Sequence, residues 1–106
     1  MLHPDDLPRF AALDVVASIQ PGHAPFGGVF PPGGMDEVLH AHQKPTCFAW
    51  QDIRDTGARV VFSTDWPVIP VDVMRSVKAA AGPIALAGFR DQRQALMDTL
   101  ESYTAG

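Results

Sequence analysis

The residues best suited to chemistry stand directly after two short apolar runs of the sequence. Asp65 and Trp66 follow the run at 60–62, and His23 follows the run at 15–19. In α/β folds, ligands bind at the carboxyl ends of the strands. A carboxylate held there can coordinate a metal and take a proton from metal-bound water. Position therefore makes Asp65 a candidate for that chemistry, and the alternative is that it caps the following turn.

Two buried strands and a connecting helix must position these side chains. The runs Val15–Ile19 and Val60–Phe62 are short and almost continuously apolar, which is typical of strands buried on both faces. Thr46 can cap a helix that runs to about Thr56 and ends at Gly57. Two strands joined by a helix predict a parallel pair with a right-handed crossover.

Further helices are expected on both sides of this unit. The stretch His3–Leu7 favours a helix start, because proline is tolerated in the first turn and aspartates suit the positive end of the helix dipole. Asp72 is expected to cap a helix over 73–81, and another is expected from Asp91 through Tyr103. Parallel strands need cover on both faces, so two strands with a few helices look like a slice of a larger sheet.

The connection from Pro21 to Pro45 is rich in proline and glycine and is expected to be mostly irregular. It contains His40 and His42, whose spacing matches a metal-binding histidine pair. That pair needs alternate residues of a strand, and no apolar strand precedes these histidines, so a solvated loop or short helix is the better interpretation. A metal-binding protein that uses His23, His40 and His42 is a further alternative.

Composition excludes several classes of protein. The chain has 106 residues, 46% of them hydrophobic, and a net charge of −4 without a basic cluster, which argues against nucleic acid and anionic membranes as partners. No apolar run is long enough to span a bilayer and no signal peptide is recognisable, so a cytoplasmic location is expected. The single cysteine, Cys47, excludes an intrachain disulfide and is expected to be a small buried residue on a helix.

Several sequence blocks together resemble one known family. In order they are HPDDLPRFAAL at 3–13, VASIQPxH at 16–23 (x is any residue), FAW at 48–50, FSTDWPV at 62–68 and DQRQAL at 91–96. This pattern, over nearly the whole chain, is similar to the amidohydrolase family 3 branch of the amidohydrolase superfamily.

The resemblance implies an α/β fold, a fragment of a metal-binding (β/α)₈ TIM barrel that covers about its last two β/α units. Residues 1–106 would be a partial barrel domain, incomplete at both ends, with strands seven and eight at 15–19 and 60–62. A barrel typically needs roughly 250 residues. The family's remaining metal ligands, including its strand-one histidine pair, would precede Met1, so the isolated chain is expected to be inactive.

The resemblance also implies roles for site residues. Asp65 matches the aspartate that contacts the metal and serves as general base toward water, so it is expected to be both catalytic residue and metal ligand. His23 is expected to contact the substrate or orient Asp65, and Trp66 to line the substrate pocket. The cofactor would be a divalent metal, zinc foremost, and the substrate a small molecule with an amide or related C–N bond.

An alternative function of a different class remains. The chain could be a non-catalytic α/β module whose exposed strand edges are covered by self-association or by a partner chain. Self-association is expected in either case, because a chain of this length cannot cover both faces of its strands with its own helices.

Overall fold

The computed structural model describes residues 1–25, 34–83 and 86–105, without the side chains of Met35 and Asp36. Within these ranges the α-helices are α1 (Leu7–Ala12), α2 (Gly34–Val38), α3 (Trp50–Asp55), α4 (Val73–Ala81) and α5 (Leu96–Thr104). The strands are β1 (Ala17–Ile19) and β2 (Val60–Phe62), and short 3₁₀ helices cover Pro4–Asp6, Pro21–His23 and Lys44–Thr46. The connection predicted to be mostly irregular is more helical than expected, because its residues 21–23, 34–38 and 44–45 lie in short helices and only 24–25 and 39–43 lie between them. Its residues 26–33 lie outside the described part.

The two strands form a parallel pair, as predicted. Ala17 lies opposite Val60, and Ile19 lies opposite Phe62. The prediction that β1 begins at Val15 is wrong, because Val15 and Val16 precede the ladder and are 43% and 39% exposed. The amide of Val15 instead donates to the carbonyl of Phe10 and closes the turn after α1.

One face of the strand pair packs against helices. Ala17, Val60 and Phe62 point into a buried cluster that includes Trp50 and Ile53 of α3. On the other face, Ser18 is exposed and Val61 is half-buried. The expected burial on both faces is therefore present on one face only among the described residues.

The helix predicted from Thr46 begins later than expected. Thr46 ends a 3₁₀ helix, α3 starts at Trp50, and the intervening Cys47 is buried but not helical. Ala49 at the N-cap position makes no side-chain cap. The capping acceptor is supplied from 40 residues away, by Oε1 of Gln92, which accepts from the backbone amides of Gln51 and Asp52.

The last helix is also shorter than predicted, since α5 begins at Leu96 rather than Asp91. The segment before it is non-helical, and it buries Gln92 and Gln94.

By contrast, α4 matches its prediction, and Oδ1 of Asp72 accepts from the amide of Met74 at 3.0 Å. No helix in the described ranges is long and apolar enough to cross a membrane.

Candidate functional site

His23 and Asp65, which lie 42 positions apart in the sequence, meet at the carboxyl ends of β1 and β2. Nε2 of His23 is 3.4 Å from Oδ2 of Asp65, and the two side chains are 29% and 47% exposed. They are an ion pair whenever the imidazole is protonated. The carboxylate is partly shielded by the histidine and still open to solvent, so water or a small molecule can reach it.

The backbone presents the Asp65 side chain through a left-handed turn. Asp65 has φ +59°, a conformation that aspartate tolerates better than most residues. Its main-chain carbonyl closes the turn by accepting the amide of Val68 at 2.8 Å. Because the carbonyl performs this closure, the carboxylate is available for other contacts.

His23 is held by the 3₁₀ helix that directly follows β1. Pro21 suits the first turn of this helix because its fixed φ matches helical backbone and its missing N–H has no partner to lose there. The amide of His23 donates to the carbonyl of Gln20 at 3.0 Å. The short helix thus turns the chain back over the strand end, where the imidazole faces Asp65.

A second polar contact joins the same two strand ends. Nε2 of Gln20 donates to Oγ of Ser63 at 3.1 Å, and the amide of Ser63 donates to the carbonyl of Ile19. Side chains alternate along a strand, so Gln20 and Ser63 belong to the open face that carries Ser18. Sequence reasoning missed Ser63, although its place immediately after β2 was the available signal.

Trp66 follows Asp65 directly, and its indole is 69% exposed. The structure thus places this predicted pocket residue at the edge of the site with most of its surface open to solvent.

The other histidine pair lies in an irregular part of the chain. His40 and His42 are exposed, and their rings stack with 5.7 Å between centroids and 6° between planes. They precede the 3₁₀ helix Lys44–Thr46 and belong to no strand. This agrees with the loop interpretation.

The donor atoms near Asp65 fit part of a metal site. A carboxylate and an imidazole are both ligands of divalent transition metals. Over the described residues, no group of three or more His, Cys, Asp or Glu side chains could hold a metal ion. Within the described residues, Asp65 and His23 therefore supply donor atoms for no more than part of a metal site.

Comparisons with known proteins give one positive result. The family model described as the amidohydrolase family matches residues 1–105. No curated protein and no solved structure matches the chain. The match covers all the elements described above, including both strand ends that carry His23 and Asp65. The chain belongs to the amidohydrolase family.

Proposed function

We propose that this chain contributes the last two β/α units to the barrel of a metal-dependent amidohydrolase, which cleaves amide or related C–N bonds of small molecules. The observation that carries the proposal is the contact between His23 and Asp65 at the carboxyl ends of a parallel strand pair. In β/α barrels, catalytic groups stand at that end of the strands. Family membership supplies the reaction class.

The open surfaces of the strand pair support a larger scaffold. Val15 and Val16 are apolar yet exposed beside β1, and Ser18 stands on an uncovered sheet face. Parallel sheets are ordinarily covered on both faces. We therefore infer that further strands complete the barrel in the whole protein and that the isolated chain is inactive.

Members of this family generally bind divalent metals, and we propose zinc for this protein. Asp65 would be one ligand, and the remaining ligands would come from outside the described residues. When bound, the metal supplies a Lewis acid that lowers the pKa of water into the neutral range.

The chain's own contribution is a proton acceptor in a defined orientation. The Asp65 carboxylate takes a proton from the attacking water, whose oxygen adds to the carbonyl carbon of the substrate. The protonated Asp65 then returns this proton to the substrate nitrogen as the C–N bond breaks. His23, 3.4 Å from Oδ2, orients this carboxylate. Trp66 lies next to it and provides an apolar wall for the substrate.

The test is Asp65→Asn in the complete protein. Asparagine keeps the size and most of the hydrogen bonding but loses the charge and the proton acceptor. General-base catalysis contributes about 10²–10⁴-fold in rate, so kcat on a panel of N-acyl amino acids, cyclic amides and anilides should fall by at least about 10²-fold. Circular dichroism should show an unchanged fold.

The matched control replaces the other candidate ligands, His40 and His42, with alanine. Metal content, measured by inductively coupled plasma mass spectrometry, and turnover should both stay at wild-type levels in this double variant. Normal turnover with Asp65→Asn, combined with metal loss in the histidine variant, would reverse the assignment of the site.

The second candidate function is a non-catalytic, self-associating module. The exposed apolar residues beside β1 favour it, because an uncovered strand edge invites pairing. A complete protein that binds no metal and hydrolyses none of the amide panel, yet assembles through this edge, would favour this function instead.

A further inference from the structure

Gly22 lies between Pro21 and His23, at a position where the neighbouring side chains leave no room for a Cβ atom. Its backbone is not in the left-handed region, so its conformation is open to other residues. A Cβ built on it, however, would lie 2.6 Å from Cδ1 of Ile69 and 2.9 Å from Oγ of Ser76. Both distances are too short for real atoms, so only glycine lets the 3₁₀ helix approach these side chains this closely.

The two side chains that lie against Gly22 belong to the segments that carry or follow Asp65. Ile69 is 1% exposed, and its amide approaches the carbonyl of Asp65 at 3.4 Å. Ser76 lies on α4 and is fully buried. Through Gly22, the segment that carries His23 rests on the turn that carries Asp65 and on the helix that follows it.

We propose that Gly22, Ile69 and Ser76 form a clamp that sets the distance between His23 and Asp65, and that they are positioning residues for the reaction. This inference rests on the proposed function. Nε2 of His23 and Oδ2 of Asp65 are 3.4 Å apart, an ion-pair distance that is longer than an ordinary hydrogen bond. A small displacement of either segment therefore breaks the contact.

The size of the displacement follows from the clamp itself. Ordinary contact begins at 3.4 Å, so an alanine at position 22 requires a shift of about 0.8 Å away from Ile69. Pro21, Ile69 and Ser76 are all buried, so the Ile69 and Ser76 side chains have little room to turn away from the new methyl group. We therefore expect the shift to move the 3₁₀ helix, the Asp65 turn or both.

The experiment is Gly22→Ala in the complete protein, with two measurements. In its crystal structure, the distance from Nε2 of His23 to Oδ2 of Asp65 should increase from 3.4 Å to more than about 4 Å, outside ion-pair range. In the amide assay, kcat should fall by about 10- to 100-fold, since misplacing a reacting group by about 1 Å can cost that much. KM should change less, because the substrate-binding surface is kept.

Compensating substitutions distinguish a positioning role of these residues from a general loss of structure. Ile69→Val removes Cδ1, and Ser76→Ala removes Oγ, so the triple variant with Gly22→Ala should recover the short distance and most of kcat. The Ile69→Val/Ser76→Ala pair without the new alanine is the reference for this recovery. Ile69→Ala loosens the clamp without a clash, and it should also lengthen the distance and lower kcat.

Gly57→Ala is the matched glycine control. Gly57 has φ +88°, and a Cβ there meets nothing within 4 Å, so the change strains the backbone before β2 and leaves the site alone. The clamp is refuted if Gly22→Ala keeps the short distance, if kcat falls equally in Gly57→Ala, or if the triple variant recovers neither property. Wild-type turnover of Asp65→Asn would refute the proposed function instead, and the crystallographic distance would still test the clamp.

Discussion

Gln92 organises the start of α3 from a distant part of the chain, and Gln92→Met tests how much this contributes to stability. The side chain is fully buried. Its Oε1 accepts from the amides of Gln51 and Asp52 at 2.9 Å and 3.0 Å, and its Nε2 donates to Oδ2 of Asp52 at 2.7 Å. Methionine has a similar length and flexibility and fills the space, so the substitution removes hydrogen bonds and little packing.

The expected loss follows from the groups left without a partner. A buried polar group that loses its partner costs about 1–3 kcal/mol. The amides of Gln51 and Asp52 belong to half-buried residues, so water can reach them in part and the lower end applies. Asp52 also keeps its ion pair with Arg90 at 3.2 Å. We expect Gln92→Met to lower the free energy of unfolding by roughly 2–3 kcal/mol in total.

Gln94→Met is the matched comparison, since Gln94 is 1% exposed and lies two positions along the same segment. Among the described residues, its Oε1 accepts only from the hydroxyl of Thr99, which also donates to the carbonyl of Ala95. Its Nε2 has no hydrogen-bond partner within the described residues. Losing this side chain leaves no new group unsatisfied, so the expected cost is about 0–1 kcal/mol.

The assay is urea unfolding of both variants at one protein concentration, followed by circular dichroism, together with hydrogen exchange of individual amides. In Gln92→Met, the amides of Gln51 and Asp52 should exchange faster than those of α4. Equal destabilisation by the two substitutions, or unchanged exchange at Gln51 and Asp52, would refute the conclusion that Gln92 caps α3.

Two further predictions concern titration and assembly. Burial raises the pKa of the Tyr103 phenol, and the nearby Ser76 hydroxyl offsets part of this increase. The stability that Tyr103 contributes should therefore be complete below its ordinary pKa of about 10. It should decline as the pH rises through the raised pKa. Tyr103 is the only tyrosine, so absorbance at 295 nm reads its ionisation directly. Tyr103→Phe should remove the part of the decline that follows this absorbance change, and an equal decline in that variant would contradict the prediction. The isolated chain should self-associate in sedimentation velocity, and Val15→Lys with Val16→Lys should weaken this association; a monodisperse wild-type monomer that unfolds cooperatively would contradict the expectation.

Local sequence patterns predicted the parallel strand pair and the helix α4. The apolar runs that contain Ala17–Ile19 and Val60–Phe62 predicted the parallel pair, because two apolar strands joined by a helix are typical of a parallel crossover. The burial on both faces that these runs also predicted is found on one face only among the described residues. Asp72 predicted the start of α4 because a cap acts on amides only two or three residues away. The resemblance of blocks such as FSTDWPV at 62–68 to amidohydrolases was confirmed by the family match.

The tertiary structure alone decided the features that depend on distant residues. The start of α3 could not be read from Thr46, because the acceptor for its first amides is Gln92, on a segment that arrives only after β2 and α4. The need for glycine at position 22 comes from Ile69, 47 positions later, and has no local signal. Short-range patterns reflect interactions between near neighbours, whereas capping across the chain and close packing depend on which segments the complete fold brings together.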